Sequence, residues 1–155
     1  MHDFVYSLCV ELGDKIPNIA IAYNAYGAGA SINHLHFQTF IMQQSLPVLG
    51  QQWQHNGGNT PYSTSCKVFN SGHDAWQYID KLHRINVTYN LIYLPDKIVC
   101  LPRKYQGTYN LPQWTENFAW YELCGGITTF NQNDFQKLED ESIYTALSAL
   151  NLSSP

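Results

Sequence analysis

Apolar positions near the start of the chain recur with a helical spacing. Phe4, Val5, Leu8, Cys9 and Leu12 fall on one face, and Gly13 supplies a stop. Beyond Pro17 the period changes to two: Ile19, Ile21 and Tyr23 alternate with Ala20 and Ala22, which predicts a strand. Its small residues leave room for close approach by the preceding helix or by a ligand. A glycine-rich bend around Gly27 and Gly29 leads into a second strand that pairs antiparallel with the first. On that strand His34, His36 and Gln38 share one face, while Asn33, Leu35, Phe37, Thr39 and Ile41 take the other. The second set is mostly apolar and is the expected core side.

Residues 45–61 are rich in Pro, Gly, Gln and Asn and read as a loop. A strand is expected at 62–69 and a helix at 71–83, with Ala75, Ile79 and Leu82 inward. Strands at 87–94 and 97–101 form a hairpin turning at Pro95-Asp96. After an irregular stretch at 105–116, residues 118–130 alternate as a strand would, with Gly125-Gly126 marking a bulge or a close backbone approach. Ile143, Ala146, Leu147 and Leu150 define a closing helix. Antiparallel pairs with helices before, between and after predict an α+β fold, an antiparallel sheet with flanking helices, as one domain over residues 1–155.

Composition narrows the function. With 45% hydrophobic and 13% charged residues, the chain buries a core and does not read as disordered. The net charge of −4 is mild, and Arg103-Lys104 is the only adjacent pair among eight scattered basic residues, so no nucleic-acid stripe is present. Eleven Tyr and four Trp without interleaved basic residues read as packing. Cys9, Cys66, Cys100 and Cys124 form no C-x-x-C pair, which points to reduced thiols in a cytoplasmic protein. The opening residues lack the basic-then-apolar pattern of a signal peptide, and no apolar run reaches membrane-spanning length. The Asn-x-Ser/Thr sequences at 86–88 and 151–153 read as chance matches.

The candidate chemistry lies in Gly27-x-Gly29-x-Ser31-x-x-His34-x-His36-x-Gln38. This pattern resembles the active-site strand of the histidine-triad superfamily, in the branch that has Gln in place of a third His. That branch holds galactose-1-phosphate uridylyltransferase, diadenosine tetraphosphate phosphorylase and the GDP-hexose phosphorylases. The stretches Tyr-Asn-Ala-Tyr-Gly-Ala-Gly-Ala at 23–30 and Asn-His-Leu-His-Phe-Gln at 33–38 are most similar to the last of these.

The resemblance implies nucleotidyl transfer from a nucleoside diphosphate sugar or a dinucleoside polyphosphate, with inorganic phosphate as acceptor. His36 would be the nucleophile, since a neutral imidazole attacks phosphorus and leaves again readily. Its other ring nitrogen needs an acceptor, usually a backbone carbonyl, to fix the tautomer. His34 would support the strand and the phosphate pocket. Gln38 would donate its amide hydrogens to a nonbridging or leaving oxygen but cannot act as an acid, which suits a leaving group that needs no proton. Gly27 and Gly29 would offer backbone N–H groups to an anion, with Ser31 in the place of a phosphate-binding serine and Asn33 assisting. Arg103 and Lys104 are the candidate cations for a polyphosphate, with exposed solvation as the alternative. The motif requires no cofactor.

In the enzymes this chain resembles, several strands precede the helix that starts here at residue 2, and they help to build the base pocket. The chain therefore reads as the C-terminal half of a longer architecture, with a homo-oligomer or a separate N-terminal half as the expected partner. Two alternatives stand beside the enzyme. One is a non-catalytic domain that binds nucleotides or assembles with another chain. The other is a His-x-His metal site, disfavoured because a cupin-like pattern wants Gly where Ala28 stands and an acid where residues 39–44 have none. His2, His55, His73 and His83 lack any such setting and read as structural or solvent-exposed.

Overall fold

The β-hairpin foreseen at residues 87–101 is the centre of the molecule, which is described here from a computed structural model covering residues 1–32 and 34–152. Asn33, one of the candidate phosphate ligands, lies outside the described residues. In chain order the elements are α1 (His2–Gly13), β1 (Ile19–Asn24), β2 (Gln38–Ile41), β3 (Lys67–Phe69), α2 (Gly72–Arg84), β4 (Thr88–Leu94), β5 (Lys97–Arg103), α3 (Trp120–Leu123), α4 (Gln132–Lys137) and α5 (Asp140–Ser148). Five strands form one antiparallel sheet in the order β2-β1-β4-β5-β3. The α+β architecture, an antiparallel sheet with flanking helices, is the one expected.

The central strands β4 and β5 are covered on both faces, so their sequences run apolar almost without alternation. On one face Ile21, Leu91, Tyr93, Ile98 and Cys100 pack against Val5 and Cys9 of α1 and Ala75, Ile79 and Leu82 of α2. Ser71 caps α2, accepting from the Asp74 N–H at 3.1 Å, a contact worth about 1 kcal/mol. On the other face Ala20, Ala22, Ile92, Val99 and Leu101 meet Phe118, Trp120, Leu123, Leu147 and Leu150. The small residues of β1 therefore admit Trp120 and its neighbours, not α1.

Several local expectations are corrected. Residues 34–37 are not in a strand; β2 begins only at Gln38, which pairs with Ala22. Its inward face is also the opposite one: Phe40 packs on the core while Thr39 and Ile41 are exposed, and Leu35 is exposed as well. The strand at 62–69 shrinks to Lys67–Phe69, because Tyr62, Ser63 and Ser65 spend their polar groups on Leu123 and Asn151 and not on a ladder. Residues 118–130 do not form a strand. The Glu122 carboxylate accepts from the Ala119 N–H at 3.0 Å and from Thr128 Oγ1 at 2.8 Å, closing a helical turn that Gly125 ends at φ +88°. On α1 the buried side is His2, Val5 and Cys9, which leaves Phe4 exposed.

Candidate functional site

His36 sits where the chain enters β2, half-buried, and its Nδ1 lies 3.0 Å from the backbone carbonyl of His34. A carbonyl only accepts, so Nδ1 carries the proton and Nε2 keeps a lone pair. The His34 and His36 rings lie 5.8 Å apart, with His34 exposed. Gln38, exposed at the head of β2, accepts a hydrogen bond at its Oε1 from the indole Nε1 of Trp120.

The bend preceding the histidines is held from behind. Gly27 and Gly29 adopt φ of +77° and +86°, a region that favours glycine. The Gly27 carbonyl accepts from the Gln106 N–H at 2.7 Å, the Tyr26 carbonyl from Thr88 Oγ1 at 2.8 Å, and the Ala28 carbonyl from Asn90 Nδ2 at 2.7 Å. With its carbonyls tied inward, the bend closes one side of a depression of about 170 Å³ that Asn24 and His34 also line. Ser31 is exposed at the end of the bend.

Three residues that sequence reasoning passed over connect this bend to the motif. Asn90 Nδ2 donates to Asn24 Oδ1 at 2.6 Å as well as to Ala28, and Asn24 Oδ1 also accepts from the Trp120 N–H at 3.0 Å. Trp120 then reaches Gln38. The signal was present in Asn90, a carboxamide inside an apolar run, since a buried amide demands partners.

Arg103 and Lys104, the candidate cations for a polyphosphate, are bonded to other parts of the fold. Arg103 is only 1% exposed; its Nη1 donates to the Phe118 carbonyl at 2.5 Å and its Nη2 to the Tyr109 hydroxyl. Burial lowers its pKa from the ordinary arginine value, opposed by Tyr109 and Glu122. Lys104 Nζ donates to the Ala149 carbonyl at 2.9 Å, a cation at the C-terminal end of α5. The other histidines have partners outside the motif: His2 the Tyr93 hydroxyl, His55 the Val48 carbonyl, His73 Gln77 and His83 the Tyr89 hydroxyl. Burial pushes the thiols of Cys9 and Cys66 up to about 11 and about 12, which makes both poor nucleophiles at neutral pH.

Among the described residues, no group of three or more His, Cys, Asp or Glu comes together to hold a metal ion. No described helix is long and apolar enough to cross a membrane.

A scan against protein-family profiles finds no match, and a search of curated proteins finds none. Solved structures do match. Yeast Ap4A phosphorylase Apa2 is similar over 99% of this chain and 63% of its own, at 17% identity and a TM-score of 0.69. Its complex with AMP matches over 94% and 60% of the two chains at 17% identity and a TM-score of 0.69. Its complex with Ap4A matches over 98% and 64% at 18% identity and a TM-score of 0.68. This chain thus spans somewhat less than two thirds of the length of the chains it matches. At such identity the likeness concerns the fold alone, which in this chain is a five-stranded antiparallel sheet with flanking helices.

Proposed function

We propose that this chain carries the nucleotidyl-transfer site of a phosphorylase-like enzyme acting on a nucleoside diphosphate sugar or a dinucleoside polyphosphate. The observation that carries the reading is the 3.0 Å bond from His36 Nδ1 to the His34 carbonyl, which leaves the Nε2 lone pair for nucleophilic attack. The likeness to Apa2, solved with AMP and with Ap4A, supports it.

In the first step the Nε2 lone pair forms a bond to the α-phosphorus and the bond to the leaving oxygen breaks. The leaving group departs as a phosphate monoester or polyphosphate anion that needs no proton. The imidazole becomes cationic, and the His34 carbonyl faces the retained Nδ1 proton. An oxygen of inorganic phosphate then attacks the same phosphorus, releasing neutral His36 and a nucleoside diphosphate when the transferred group is a nucleoside monophosphate. Gln38 donates to an oxygen that gains charge in both steps. The bend, Ser31 and Asn33 hold the remaining phosphate oxygens.

A second reading is a nucleotide-binding or assembly domain without turnover. The exposure of Ile32, Leu35 and Ile41 around the motif favours it, since these side chains fit a surface covered by another chain. Intact mass after brief incubation with GDP-hexoses and diadenosine polyphosphates, in the absence of phosphate, separates the two. A nucleoside monophosphate adduct that His36→Ala lacks supports transfer. Binding without an adduct on wild type sinks transfer and leaves the binding domain.

A further inference from the structure

Trp120 stands where two parts of the site meet. Its backbone N–H donates to Asn24 Oδ1 at 3.0 Å, and its indole N–H donates to Gln38 Oε1. The side chain is 9% exposed, stacks on Phe40 with ring centroids 4.6 Å apart, and meets Tyr121 edge-on. A nearly buried donor in a fixed place is therefore aimed at an exposed carboxamide of the motif. An indole N–H donates and never accepts, so of the two ends of Gln38 only the oxygen satisfies it. The amino end is thereby turned away from the indole.

We infer that Trp120 is a positioning residue for the transfer: it locks the Gln38 carboxamide with its hydrogens outward. The inference rests on the roles of His36 and Gln38 proposed above. A flipped carboxamide would present a lone pair to the phosphate oxygens and leave a buried indole N–H without a partner, so two penalties oppose the flip. The same frame extends to the bend. Asn24 holds the Trp120 backbone, and Asn90 holds both Asn24 and the Ala28 carbonyl. The phosphate-facing bend and the last residue of the motif are thus set by one chain of hydrogen bonds.

The test compares the full chain as wild type, Trp120→Phe, Gln38→Ala and the double variant, with labelled tryptophan. Trp120→Phe keeps a ring over Phe40 and removes the donor. Of the four indole N–H resonances, the one that vanishes in Trp120→Phe should lie downfield in wild type and return toward the free-indole position in Gln38→Ala. With GDP-hexose or diadenosine tetraphosphate, single-turnover adduct formation should slow about tenfold in Trp120→Phe while donor Kd stays within about twofold. The double variant should be no slower than Gln38→Ala alone, as for residues acting through one contact. A double variant slowed by the product of the single effects, or an indole resonance indifferent to Gln38→Ala, overturns the inference. A wild type that forms no adduct overturns the proposed function instead, and the lock is then decided by the indole resonance. Should Trp120→Phe fail to fold, the response of that resonance to Gln38→Ala, an exposed position, decides alone.

Discussion

A β-carbon on Gly29 would stand 2.7 Å from the carbonyl oxygen of Phe118, the same oxygen that Arg103 Nη1 holds at 2.5 Å. The bend that faces the candidate phosphate pocket is therefore backed by main chain, and that main chain is pinned by a buried guanidinium. Gly27 differs: its β-carbon would meet the Tyr105 ring, a side chain that is 42% exposed and not main chain.

That difference sets an order of sensitivity. Both substitutions to Ala incur the left-handed backbone cost of about 1–2 kcal/mol. Gly29→Ala adds a clash with an immovable backbone oxygen, so it should lower unfolding free energy by more than about 2 kcal/mol, and Gly27→Ala by about 1–2. Denaturant midpoints at unchanged slope would show this; an equal or larger loss for Gly27→Ala would refute the account.

Arg103 should behave as a structural residue. Arg103→Met leaves the Phe118 carbonyl and the Tyr109 hydroxyl without their donor and should cost on the order of 3 kcal/mol. Lys104→Ala loses only a cation at a helix end and should stay within about 1 kcal/mol. Thermal unfolding of both variants measures the contrast, and similar losses would mean that the guanidinium contacts contribute little.

The two motif histidines should separate cleanly. The tautomer of His36 is fixed by the main chain of His34 and not by its ring. His34→Ala should therefore still form the nucleotidyl adduct, with weaker donor binding, whereas His36→Ala should form none. Intact-protein mass over a time course distinguishes them. Loss of the adduct in His34→Ala at saturating donor would assign that ring a chemical role.

His2 gives the fold a dependence on pH. Burial, foremost among its causes, lowers its pKa from 6.5 to about 4; the ring is stacked on Trp76 at 5.6 Å and bonded to the Tyr93 hydroxyl. Between those two values the unfolded chain binds the proton and the folded chain does not, so stability rises with pH across that window. The contribution is complete above about pH 6.5 and is lost as pH falls toward 4, by up to about 3 kcal/mol. His2→Gln should flatten the profile of unfolding free energy between those limits; a parallel profile would assign the slope to other groups.

The sequence by itself determined α1, β1, α2 and the β4–β5 hairpin, because their signals are local: a period, a cap, a Pro or Gly at the break. It also set His34, His36 and Gln38 close behind the glycine bend along the chain, within a dozen positions of one another. Tertiary structure alone decided that residues 34–37 leave the sheet, that β2 turns Gln38 and Phe40 toward Trp120, and that Arg103 is buried. It alone joined Asn24 to Asn90 and Trp120, partners 66 and 96 residues away in the chain. The reason is physical. A hydrophobic period reports which face of an element is dry, but a buried amide or guanidinium is stable only through a partner whose distance in sequence leaves no periodic trace.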